Sequence, residues 1–246
     1  MKQLLIYGQV EPINSEAHKD LCVQAKGQFE FAREVNSAPI VAAEFTAAAR
    51  DFAIVFAGTD DNVVPVVILG GRENANQFVG DEGQWTASYV PAFFRRYPFV
   101  FAEAEDGTLT LCVDQEYPGL NRDGKGERLF DAEGNRTQYL ATMLNFLSEY
   151  QSQFVRTKAF CDRLVTLKLL EPAQARIMQA DGTARAMTGF FAVNRDKLRQ
   201  ISDEDLKAMF RTDELELCYV HLASLNNVAK LTAGEEPALD EPATTH

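Results

Sequence analysis

FAIVFAGTDDNVVPVVIL, residues Phe52–Leu69, is the stretch on which the fold turns. Two runs rich in β-branched and aromatic residues, Phe52–Ala57 and Val63–Leu69, flank the polar connection Gly58–Asn62. That is the pattern of an antiparallel hairpin. Pro65 has no N–H to give a ladder, so the second strand is expected at a sheet edge or bulged at its start. Downstream, Phe99–Glu103 and Thr108–Val113 flank Ala104–Gly107, whose Asp106-Gly107 pair suits a tight turn and makes a second hairpin. The simplest assembly of the two is a meandering antiparallel sheet of at least four strands. Upstream, Phe29–Glu34 is a further candidate strand, and the alanine-rich Glu44–Asp51 is expected to form a short helix.

The period changes after a glycine-rich loop at 118–136. Leu140, Met143, Leu147, Tyr150, Phe154, Cys161 and Leu164 recur at spacings of three, four or seven. This is one face of a long helix running from about 137 to 170, with Thr137 as N-cap and Glu171-Pro172 as its end. Such a helix can cover one face of the sheet. Two more β-prone runs, Ala175–Gln179 and Thr188–Val193, surround a turn at Asp181-Gly182. Ser202 and Asp205 have the spacing of a capping box, opening a short helix to Arg211, and a last helix spans about 214–231. The fold class is therefore α+β: an antiparallel sheet packed by a long helix, with a smaller C-terminal hairpin-plus-helices portion. Residues 1–231 are expected to form one domain. The tail 232–246 is acidic, contains proline and lacks large apolar residues beyond Leu239, so it is expected to be disordered.

Composition bounds the partners. Lys plus Arg number 24 and Asp plus Glu 36 among 246 residues, a formal charge of −12. A field of that sign repels phosphate backbones and anionic lipid, so neither nucleic acid nor membrane insertion is expected. At the amino terminus only Leu4–Tyr7 are contiguous and apolar before Glu11 and Pro12. That falls short of the roughly 7–15 apolar residues of a secretory leader. A cytoplasmic location is expected, the alternative being the cell surface by a leaderless export route. Cys22, Cys112, Cys161 and Cys218 are widely spaced without a CxxC pair, so they read as small buried hydrophobes, and no metal or other cofactor is expected.

Three blocks resemble the bacterial SapC family. They are Tyr89–Phe99 (YVPAFFRRYPF), Arg128–Asp131 (RLFD) leading through Gly134 into the long helix, and Phe190–Val193 (FFAV) joined to Tyr219–Leu225 (YVHLASL). The resemblance runs from about residue 5 to 231. It implies a bacterial protein of a family named for surface-layer loci, and it carries no agreed catalytic residue.

The first block holds the candidate ligand-binding residues. Arg95 and Arg96 sit among Trp85, Tyr89, Phe93, Phe94, Tyr97 and Phe99. A guanidinium beside aromatic faces can bind carboxylates, phosphates or flat ligands, because it is planar and offers paired donors. The plainer account is an aromatic cluster whose arginines bond neighbouring acids or carbonyls. His221, near Tyr219, is the remaining candidate; a lone helical histidine is more often a packed, hydrogen-bonded residue than an acid–base group. The acidic loop from Asn121 fails the calcium-loop pattern, with Lys125 and Ala132 at ligand places. No phosphate-loop motif or nucleophile elbow occurs. The functional expectation is a non-catalytic binding or accessory protein that recognises a partner protein or small anionic ligand through Trp85, Tyr89, Arg95, Arg96 and Tyr97. The alternatives are a surface-layer component and an enzyme with a site near Arg95, Arg96 and His221.

Overall fold

The structure, a computed structural model, describes residues 5–24, 27–59, 62–104, 106–178 and 183–231. The expected tail at 232–246 and the turn residues Asp60-Asp61 and Asp181-Gly182 lie outside them. In chain order the strands and helices begin with β1 (Val10–Pro12), β2 (Cys22–Val23), β3 (Ser37–Pro39), α1 (Phe45–Ala48), β4 (Ala53–Thr59) and β5 (Asn62–Ile68). Then come α2 (Ala92–Arg95), β6 (Phe99–Glu103), β7 (Leu109–Asp114), β8 (Leu120–Asn121), β9 (Glu127–Arg128) and α3 (Gln138–Thr166). The last are β10 (Leu170–Met178), β11 (Ala184–Val193), α4 (Arg195–Leu198), α5 (Asp203–Arg211) and α6 (Glu214–Ser224), followed by a 3-10 turn at Leu225–Lys230. The class is α+β, as read.

The expected hairpins form, but they do not make one meander. β4 and β5 belong to a five-stranded antiparallel sheet in the order β10-β11-β4-β5-β3, whereas β6 and β7 belong to a separate sheet, β1-β7-β6. The outer flank of β5 is taken by β3, and the outer flank of β7 by β1. A third small sheet, β8-β2-β9, folds the glycine-rich loop onto the N-terminal arm. The expected strand at Phe29–Glu34 is instead a 3-10 turn, Glu30–Ala32, which the Glu30–Arg33 ion pair closes at i,i+3.

Pro65 sits inside β5 opposite Phe56, with no bulge there. The N–H and C=O of Ile54 point away from β5, so the alternation of the ladder turns the nitrogen of Pro65 toward β3. β3 ends opposite Val66, so no donor is missed at that place. Proline in β10 is likewise harmless, because β10 is the edge of its sheet.

α3 is the organising element. Thr137 caps it, its Oγ1 accepting the N–H of Leu140 at 3.3 Å. Its 29 residues extend roughly 43 Å at 1.5 Å each. Leu140 and Leu147 pack with Phe99, Val113 and Leu129 over the β1-β7-β6 sheet. Phe160, Cys161 and Leu164 pack with Phe45, Phe56 and Val67 over the five-stranded sheet. One helix thus serves two cores, with Phe146, Tyr150 and Phe154 between them against Val41 and Ala92. It ends before the expected Glu171-Pro172: Lys168 turns left-handed (φ 54°) and the N–H of Leu169 closes on the carbonyl of Leu164. This is a Schellman-type stop with lysine where glycine is usual.

Candidate functional site

α2 is one turn long and carries the arginine pair. A buried carboxylate, Glu44, 4% exposed, fixes its start: Oε1 accepts the N–H of Ala92 (2.7 Å) and the O–H of Tyr89 (2.8 Å). Oε2 accepts the N–H of Val41 (2.8 Å), so the same side chain ties the turn before α1 to α2. The phenol of Tyr89 is pushed up to about 12, by burial first and then by the Glu44 charge, so it stays a donor.

Successive residues on a helical turn point about 100° apart, and the two arginines separate accordingly. Arg95 is exposed. Its Nε–H donates to Val90 O (3.0 Å) and Nη2 to Tyr89 Oη (3.2 Å), and its guanidinium lies over the rings of Tyr89 (5.7 Å) and Phe146 (5.2 Å). Arg96 is 6% exposed and turns inward, among Phe93 (4.7 Å), Tyr150 (5.0 Å) and Tyr7 (5.7 Å). Burial pushes the Tyr7 phenol up to about 12, against the pull of that guanidinium.

Trp85 lies behind this face. Its Nε1–H donates to Tyr89 O (2.8 Å), and its ring meets Phe29, Phe94 and Phe52 at 5.4, 5.4 and 6.2 Å. Tyr97 faces the other way, its ring tilted against Phe31 (4.3 Å) and its O–H donated to Asp114 Oδ2 (3.2 Å). Asp114 is fully buried and also accepts the N–H groups of Gly8, Gln9 and Glu116. Its carboxylate raises the Tyr97 phenol further, after burial. Trp85, Tyr89 and Arg95 therefore share a hydrogen-bonded frame, Arg96 is buried beside it, and Tyr97 belongs to the Asp114 side.

His221 is elsewhere. It is fully buried, its Nδ1–H donating to Ile54 O (2.9 Å) while Nε2 accepts the N–H of Val193 (3.0 Å), its ring on Phe56 at 5.0 Å. Burial lowers it to about 4, so it is neutral and both nitrogens are occupied. Ser224 Oγ accepts the N–H of Ile54 (3.0 Å) and donates to His221 O, and Asn227 Nδ2 donates to Ala49 O and Phe52 O. His221 and Ser224 of α6 thus satisfy Ile54 on the β4 edge where β11 does not reach it, and Asn227 in the following turn holds two carbonyls just before β4. Burial pushes the Cys218 thiol up to about 12, away from nucleophilic use. In the acidic loop, Asn121 Oδ1 accepts the N–H groups of Asp123 and Lys125, and Asp131 Oδ1 those of Glu133 and Asn135. These groups close turns.

Sequence reasoning names both arginines without separating them, and it assigns no site role to Glu44, which holds Tyr89, or to Phe146, which lies under Arg95. Glu44 had a local signal, an acid three residues after Val41 at a helix start. Phe146 is fixed by tertiary packing alone.

No helix among the described residues is long and apolar enough to cross a membrane. No curated protein and no solved structure matches the chain. Residues 13–231, however, match the sequence profile of SapC. The first two blocks that carry the likeness meet where Phe99 packs with Leu129, and the two halves of the third are joined by the bond from Val193 to His221. The chain belongs to the SapC family.

Proposed function

We propose that this SapC-family chain is a non-catalytic binding protein that engages a partner protein through the face around Arg95. In this reading Tyr89 and Phe146 lie under the guanidinium, Trp85 braces Tyr89, and Arg96 is buried behind them. The observation that supports it is the state of Arg95: exposed, held by two hydrogen bonds and two rings, and in no ion pair among the described residues. A fixed cation loses little rotamer freedom on binding.

Magnitudes favour a protein over a small anion. An exposed ion pair contributes about 0–1 kcal/mol, whereas micromolar binding needs about 8 kcal/mol. Arg95 alone cannot hold a free carboxylate or phosphate. The same arginine covered by an interface, with Phe146 and Tyr89 beside it, can cost 2 kcal/mol or more when removed. The test is p-benzoyl-phenylalanine placed at Phe146 in the full chain, photocrosslinked in the native host. A discrete adduct should form and be lost with Arg95→Ala, should persist in part with Arg95→Lys, and the melting temperature should move by less than about 2 °C. An adduct indifferent to Arg95 would overturn the reading. So would melting stabilised by inorganic phosphate or citrate in an Arg95-dependent way, which would put a small anion there instead.

A further inference from the structure

A different surface, sharing no residue with the Arg95 face, is an interrupted strand edge. β7 is flanked by β6 and β1, and its residues alternate in which neighbour they bond. The N–H of Ala104 meets the carbonyl of Thr108, and the N–H of Asp114 that of Pro98, so even-numbered residues of β7 face β6. The N–H of Ile13 meets the carbonyl of Leu111, so odd-numbered residues face β1. β1 then leaves: the N–H of Asn14 is taken by His18 Nδ1 (3.2 Å), and the carbonyl of Asn14 by the N–H of His18, turning the chain away from β7. The N–H and C=O of Leu109 are left pointing into open space, with Leu109 40% exposed.

That space is a groove of about 730 Å³. Its lining is mixed, with Leu111, Phe130, Leu140 and Leu144 beside polar residues that include Asn14, Asn135 and Arg136. The Arg136 side chain is exposed and makes no hydrogen bond or ion pair among the described residues. The open N–H and C=O of one strand residue can pair with one residue of an added strand, the apolar side chains of the lining can take its neighbours, and a free guanidinium selects a carboxylate. We infer that this groove binds an extended segment of another protein, with alternating apolar residues and a nearby Asp or Glu, which adds to β7 as a short strand where β1 has left it.

The probe is a phage-displayed library of linear eight-residue peptides selected on the immobilised full chain, with enriched peptides resynthesised carrying fluorescein. Enriched sequences should alternate apolar residues and carry a carboxylate. Leu109→Pro removes the open N–H without touching the β6 ladder, and Arg136→Ala removes the cation; each should weaken binding by about tenfold or more. Arg95→Ala should leave it unchanged. Because Leu109→Pro could also unfold the hairpin, N-methylation is scanned along the best peptide against the wild-type chain. A methyl group on the one amide that pairs with Leu109 should abolish binding, while methyl groups on the amides next to it should not. Failure to enrich any peptide, or affinity insensitive to these changes, overturns the proposal. A wild-type dimer that Leu109→Pro converts to monomer overturns it in favour of a second copy. A synthetic peptide of residues 233–246 that binds in trans with the same sensitivity overturns it in favour of the chain's own tail.

Discussion

At His221 the imidazole stands between backbone groups of two strands, the carbonyl of Ile54 in β4 and the N–H of Val193 in β11, and its neutrality is part of the fold. In the unfolded chain it titrates near its ordinary 6.5; in the fold burial lowers it to about 4. The unfolded state therefore binds the extra proton between those values. The contribution is fully present above pH 6.5 and is lost as pH falls toward 4, amounting to roughly 3 kcal/mol. Other groups titrate in the same range, so the comparison is with His221→Gln, which keeps a donor and an acceptor but no charge. Between pH 7 and pH 4.5, urea unfolding should show the wild type losing roughly 2–3 kcal/mol more than the variant. Equal losses would mean that His221 is not buried neutral. That a lone helical histidine is packed was legible in the sequence. Its partners were not, because Ile54 lies 167 positions away and Val193 lies 28. The arginine pair gave a similar half-answer: adjacent letters read as one site, yet a single helical turn sends Arg95 outward and Arg96 among Tyr7, Phe93 and Tyr150.

Elements end where local backbone geometry allows, and α3 ends at a residue poorly suited to its conformation. Lys168 has φ 54° and an exposed side chain in no ion pair among the described residues, so the left-handed turn carries the penalty of a Cβ. Lys168→Gly should stabilise the protein by about 0.5–1 kcal/mol, a rise of roughly 1–4 °C in melting temperature for a chain of this size. A fall would show that the lysine side chain contributes more than its backbone costs. The sequence pointed to Pro172 as the stop because proline is the loudest breaker, whereas a left-handed lysine has no signature. The same limit governs the sheets. Both hairpins, α3 and its Thr137 cap were legible from period and turn chemistry. Their division into two sheets was not, since it depends on β1 and β3, each three residues long and too short to show a two-residue period. Those strands occupy the flanks that a meander would have joined.

On the scale of the molecule, α3 makes the two cores interdependent. A helix of 29 residues that buries Leu140 and Leu147 in one core and Phe160 and Leu164 in the other cannot lose one contact face without exposing apolar surface along its length. Loss of either core should then propagate, giving one cooperative transition rather than two. The single tryptophan reports on this, because Trp85 packs against the Phe52–Phe56 core while Leu147 belongs to the other. Leu147→Ala should cost 2–5 kcal/mol through the cavity it leaves, against a total stability of order 5–15 kcal/mol. If the cores are coupled, Trp85 fluorescence and far-UV circular dichroism should shift together to the same lower denaturant midpoint. A Trp85 transition that stays in place while the dichroism splits in two would show that α3 passes through both cores without linking them, and the Arg95 face, set between them on Phe146, would then belong to a hinge rather than to a rigid platform.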